Sequence, residues 1–153
     1  LMHDLPHPAF VINLRWDVLG FNALADERFT FARHAPGQRN LLWLLFTDPV
    51  LQARIVDWEQ QAPLMLSSFR RDFTRASQST DIPELVNDLE RISPAFKLWW
   101  RQHQVQAPCH GVRHLLVDEQ PVPFEFTSLT VDEDRHLRLV VYARKEQETS
   151  LSG

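Results

Sequence analysis

Alternating apolar residues sit at both ends of this chain, and helical spacing fills the middle. Residues 9 to 14, AFVINL, and 18 to 21, VLGF, read as two short strands joined by the tight connection Arg15-Trp16-Asp17. Residues 111 to 117, 122 to 131 and 137 to 143 are β-branched or alternating, are separated by turn residues, and read as three antiparallel strands. A lone two-stranded hairpin is marginal in water. The first hairpin must therefore lie beside the last strands to close one core. The simplest solution is an α/β fold: a five-stranded antiparallel sheet covered on one face by several helices.

The middle of the chain supplies the cover. Asn22 is suited to cap a helix over 23 to 31. Residues 38 to 46, QRNLLWLLF, are apolar almost all round, which demands burial on most sides. Asp48 and Pro49 then open a helix, as cap and first helical residue. Its apolar residues are Leu51, Ile55, Trp58, Ala62, Met65, Phe69 and Phe73, an amphipathic stripe on one face. Pro63 lies inside this stripe and predicts a kink. The polar run 76 to 80 reads as a loop. Asp81 with Glu84, and Ser93 with Pro94, mark two further helix starts. Phe96, Trp99, Trp100 and His103 spread over the faces of the last one.

Length and composition exclude several classes. At 153 residues the chain suits one domain with a real core. No apolar run approaches the roughly 18 residues that span a bilayer, so no membrane partner is expected. One cysteine, Cys109, leaves no internal disulfide framework and fits a reducing cytoplasm, the expected location. The formal net charge of −4 argues against nucleic-acid binding by this segment itself. The opening Leu1-Met2-His3-Asp4 reads as the end of a linker. Five tryptophans and ten phenylalanines stand against one tyrosine. Such a set either fills a bulky core or lines a cavity for an apolar ligand.

Signals for chemistry are weak. No G-x-S-x-G, P-loop or G-x-G-x-x-G stretch occurs, so no enzyme and no cofactor is expected. His103, Cys109, His110 and His114 match no tetrahedral metal spacing, and no metal is expected. Asp57 and Glu59 flank Trp58 on the outer side of the stripe, as solvated or ion-paired groups would.

The stretches HPAFVINLRWDVLGFN, RNLLWLLFTDP, VDWE, SPAFKLWWRQHQV and LRLVVYARKE together resemble the MmyB-like transcription-regulator ligand-binding domain, a PAS-like module, over residues 7 to 146. The connection LLVDEQP, residues 115 to 121, departs from the family in having neither the usual His-Pro nor a Gly. The resemblance implies a bacterial helix-turn-helix regulator with its DNA-binding domain ahead of this segment. The implied organisation is a linker over 1–8, the ligand-binding domain over 9–146 and a tail over 147–153. It also implies a small apolar ligand, with fatty acid as the known type, and contact with DNA only through the N-terminal domain. A homodimer is the expected assembly, since operators mirror two-fold symmetry.

On this reading the candidate ligand-binding residues are Phe21, Arg39, Phe46, Trp58, Met65, Phe69, Phe96, Trp99, His103, Phe124, Phe126, Leu139 and Val141. Arg39 opens the buried helix and can meet a carboxylate in a bidentate fork. The aromatic and aliphatic members would wall a chamber between the long helix and the sheet. The same residues fit an ordinary packed core, in which case the domain is a dimerisation or protein-interaction module without a ligand.

Overall fold

β1 (Ala9–Ile12) and β2 (Val18–Phe21) pair antiparallel, and β1 lies directly against the last strand, β5 (Leu137–Arg144). The sheet order is β2-β1-β5-β4-β3, with β3 at His110–Val117 and β4 at Gln120–Asp132. Every neighbouring pair is antiparallel. The two ends of the chain thus close one sheet, as the split of strand patterns requires. This computed structural model describes residues 2–75, 81–102 and 110–145. The loop expected at 76 to 80, the candidates His103 and Cys109, and the expected tail lie outside the described residues.

Among the described residues six α-helices lie between the two groups of strands: α1 (Ala23–Phe29), α2 (Leu41–Thr47), α3 (Pro49–Arg54), α4 (Trp58–Arg75), α5 (Asp81–Ile92) and α6 (Pro94–Arg101). The architecture is a PAS-like α/β fold. Side-chain caps start four of the helices. Asn22, Asn40, Asp48 and Ser93 accept from the backbone N–H of Ala25, Trp43, Val50 and Phe96. Each such cap contributes about 1 kcal/mol. Asn22 does more than cap. It is buried, its Oδ1 also accepts from Ala9 N, and its Nδ2 donates to the carbonyls of Met2 and His7. It therefore clips the segment before β1 to the start of α1.

Several boundaries move from those the sequence predicts. α1 stops at Phe29 because Thr30 takes a left-handed conformation, φ 56°, and its N–H closes on Asp26 O. α2 begins at Leu41, not at residue 38, because Asn40 is held in a bridge to Asp17. The stripe read as one helix from 49 to 73 is two. Ile55 forms a bridge with Leu115 of the edge strand β3, Val56 N–H donates to His114 O, and Asp57 adopts φ 57°. A sheet edge with open backbone groups competes successfully for these residues. α4 then runs without interruption through Pro63, which lies within it.

The core lies between the helices and one sheet face. Phe10, Phe29, Phe31 and Tyr142 pack ring on ring, with Phe29 5.1 Å from Tyr142 and 5.3 Å from Phe10. Pairs of this kind add about 0.5–1.5 kcal/mol each beyond simple burial. The opposite sheet face is open. Leu19, Val112, Leu129 and Val131 are exposed, three of them by more than half.

Candidate functional site

Four strands of the sheet and two helices of the cover leave a cavity of about 70 Å³. Its floor is Phe10 and Ile12 from β1, Phe126 and Ser128 from β4, and Arg138, Val140 and Tyr142 from β5. Arg113 of β3 closes one end. Met65, Ser68 and Arg71 of α4 form the roof, joined by Leu41 and Trp16. The α4 spacing of three and six residues places these three side chains on one helical face. A separate groove of about 580 Å³ lies between α3 and the β3–β4 turn. It is lined by Arg28, Arg54, Asp118 and Glu119 among others, with the character of a solvated surface cleft.

The register explains the floor. Phe126 pairs with Tyr142, Ser128 with Val140, and Thr130 with Arg138. Residues of even number on both strands therefore face the helices, since successive side chains alternate. Leu139 and Val141 pair with Leu129 and Thr127, and they occupy the outer face away from the cavity. Their apolar character favours an inward setting. The inward parity is taken instead by Arg138 and Tyr142, each of which finds a buried polar partner.

Arg138 Nη2 donates to Asp72 Oδ2 of α4. The same oxygen accepts from Trp16 Nε1 at 2.8 Å. Trp16, part of the tight connection between β1 and β2, holds φ 70° and is nonetheless buried, edge-on to Phe69 at 5.5 Å. Arg113 is treated differently. It is 5% exposed, donates from Nη1 to the Tyr142 hydroxyl at 2.5 Å and from Nε to Gln61 Oε1 at 3.3 Å. Its guanidinium lies 4.2 Å from the centre of the Phe126 ring. Among the described residues no carboxylate pairs with it.

The other sequence-predicted residues gather elsewhere. Met65 and Phe126 line the cavity. Phe46, Trp58, Phe69, Phe96 and Trp99 belong to an aromatic cluster between the helices, in which Phe46 is 5.7 Å from Trp58, 5.1 Å from Phe96 and 5.9 Å from Trp99. Trp100 joins that cluster to Phe69 at 6.1 Å. Phe124 is buried in the core. Phe21 and Arg39 meet each other, the guanidinium 5.1 Å from the ring centre, and Arg39 Nε donates to the carbonyls of Phe31 and His34. The loop carbonyls hold the Nε of the arginine that the sequence suggests for a carboxylate. His114 is exposed on the outer face of β3. Among the described residues no three His, Cys, Asp or Glu side chains are placed to hold a metal.

Sequence reasoning missed Trp16, Arg71, Arg113, Ser128, Arg138 and Tyr142. The available signal was Arg113 itself, a charge on the same strand face as the buried Leu115.

A family model, the MmyB-like transcription regulator ligand binding domain, matches residues 1–150. The chain belongs to this family. The MmyB-like domains are ligand-binding modules of transcription regulators. No curated protein matches the chain. Among the described residues no helix is long and apolar enough to cross a membrane.

Proposed function

We propose that this domain senses a small molecule with an apolar body, such as a fatty acid, for a bacterial helix-turn-helix regulator acting in the cytoplasm. The observation that carries the reading is the cavity between α4 and the sheet, in a chain of a ligand-binding family. Pockets for drug-sized ligands hold about 300–1,000 Å³. A cavity of about 70 Å³ admits only a short group, so a long acyl chain requires α4 to move off the sheet. That requirement supplies a switch. A ligand acts through its differential affinity for closed and open states, and the open state is the one a long chain selects. DNA contact belongs to an N-terminal domain ahead of this segment. The open sheet face, with Leu19, Leu129 and Val131 exposed, is the surface on which a second copy would pack.

The small cavity also favours a second reading, a protein-interaction module with a nearly filled core. One experiment separates the two. Purified protein is denatured, extracted with organic solvent and examined by mass spectrometry. A stoichiometric apolar molecule supports the sensor. An empty extract, with no thermal shift from a lipid panel, favours the interaction module.

A further inference from the structure

We infer that α4 is a lid over the cavity, hinged at Ile55–Asp57 and latched by the Asp72 carboxylate on Arg138 and Trp16. The inference rests on the sensor reading above and names how access to that site is controlled.

The two ends of α4 are held in different ways. At its start the tie is made by backbone. Ile55 forms a bridge with Leu115 of β3, and Val56 N–H donates to His114 O at 3.0 Å. Asp57 follows with φ 57°, and the helix begins at Trp58. A few residues at the end of an element are enough to absorb the dihedral change of a hinge. Gln61 Oε1 adds one neutral bond of 3.3 Å from Arg113. Near the other end the tie is ionic. Asp72 Oδ2 accepts from Arg138 Nη2 and, at 2.8 Å, from Trp16 Nε1. Between Gln61 and Asp72 no side chain of α4 hydrogen-bonds the sheet among the described residues. Ser67 donates to Pro63 O, Arg71 to Ser68 Oγ and Arg70 to Trp100 O. Arg70 also lies 4.3 Å from the centre of a Trp100 ring that packs on Phe69 and Phe73, so these contacts join α4 to α6.

The latch suits reversible release. Both partners are charged and largely buried, their side chains 19% and 4% exposed. Desolvation offsets most of the attraction in such a pair, so returning both ions to water costs little beside their gross attraction. Arg138 Nε is buried without a partner, which leaves Asp72 to hold the guanidinium in place. Arg138 also stands between two spaces. It lines the inner cavity of about 70 Å³ and an outer pocket of about 230 Å³ that includes Leu14, Arg75, Thr130, Glu133 and His136. Release of the latch merges them, and the joint space reaches the lower end of the roughly 300–1,000 Å³ that small ligands occupy.

The test reads opening without a ligand. Ser128→Cys in the full chain carrying Cys109→Ser sets a single thiol where Ser128 Oγ is buried in the cavity wall. Its reaction with methyl methanethiosulfonate is timed across low denaturant concentrations. Opening of a lid exposes little surface and depends weakly on denaturant, whereas global unfolding depends on it steeply. Adding Asp72→Asn should speed labelling by about tenfold or more without denaturant, and with a shallow slope. Gln61→Ala, at the hinge end, should leave the rate within about twofold. Leu89→Ala lowers stability by opening a core void elsewhere, so it should speed labelling only along the steep, global slope. Labelling that follows the global slope in every variant, or that Gln61→Ala speeds as much as Asp72→Asn, would overturn the lid. A molecule in the solvent extract would then leave the sensor reading standing. An empty extract beside latch-controlled labelling would overturn the sensor reading and keep the lid. Should Ser128→Cys fail to fold by near-UV circular dichroism, amide hydrogen exchange of α4 in the unmodified protein and in Asp72→Asn decides. Faster, shallow-slope exchange over residues 68–75 than over 58–62 supports the latch, and uniform exchange along the helix overturns it.

Discussion

Arg113 on β3 reaches over β4 to the Tyr142 hydroxyl on β5, 2.5 Å from its Nη1, with the Phe126 ring 4.2 Å from the guanidinium between them. Neighbouring strands are about 4.8 Å apart, so the bond spans two strand spacings and only a long side chain can make it. Removing the hydroxyl leaves a buried cation short of one acceptor. Tyr142→Phe should lower stability by about 1–3 kcal/mol in chemical denaturation, with native secondary structure retained. No loss of stability would mean that the hydroxyl is dispensable to the guanidinium.

Asp72 ties three parts of the fold together, through Trp16 on the first hairpin and Arg138 on the last strand. Asp72→Asn strands a largely buried guanidinium and should cost about 3 kcal/mol. Asp72→Asn combined with Arg138→Met removes the stranded charge as well. The double variant should melt above the single one. If it melts below, packing of the Arg138 stem outweighs its charge.

The β3–β4 hairpin turns on Asp118 and Glu119, with φ 51° and 66° and Val117 paired to Gln120. Two residues with positive φ define the tight hairpin turn that favours Asn-Gly. This chain makes it with neither asparagine nor glycine, so the departure from the family's loop still yields a regular hairpin. Asp118→Asn with Glu119→Gly should raise stability by about 1 kcal/mol. A thermal midpoint that does not rise would show that the left-handed geometry costs little here.

Periodicity reports the faces that local elements bury. It located the strands and the helical cover, because a half-buried strand and an amphipathic helix each repeat visibly. It could not locate the break at Ile55–Asp57, which is made by the edge of a strand some sixty residues later. It set the β5 residues Leu139 and Val141 inward because they are apolar, whereas inward parity went to Arg138 and Tyr142 with their buried partners Asp72 and Arg113. Trp16 looked like a turn residue because it is one; its indole reaches the core from a left-handed backbone. By sequence the aromatics fit a chamber wall or a packed core equally, and most of them pack on each other.

Asp48 gives the fold an acid limit. Burial alone would raise its carboxyl, but the hydrogen bond with His34, the Val50 amide and the nearby Arg33 charge outweigh that and hold it below the ordinary value of 3.8. Its Oδ2 lies 3.0 Å from His34 Nε2. A lowered carboxyl contributes stability that is complete above the unfolded-state value and is lost as pH falls through the folded-state one. The native protein should therefore lose this contribution below pH 3.8. Asp48→Asn, which keeps a capping oxygen, should flatten that acid limb while melting lower near neutral pH. An unchanged acid limb would assign the loss to other carboxylates.

On the proposed function, ligand enters between α4 and the sheet. Amide and methyl chemical shifts, followed while sodium decanoate is added to the isotope-labelled protein, test it most directly. Saturable shifts should centre on Phe10, Met65, Arg113, Ser128 and Tyr142, with α4 as the element that moves. Shifts confined to the outer sheet face around Leu19, Leu129 and Leu139, or no saturable shifts, would contradict it.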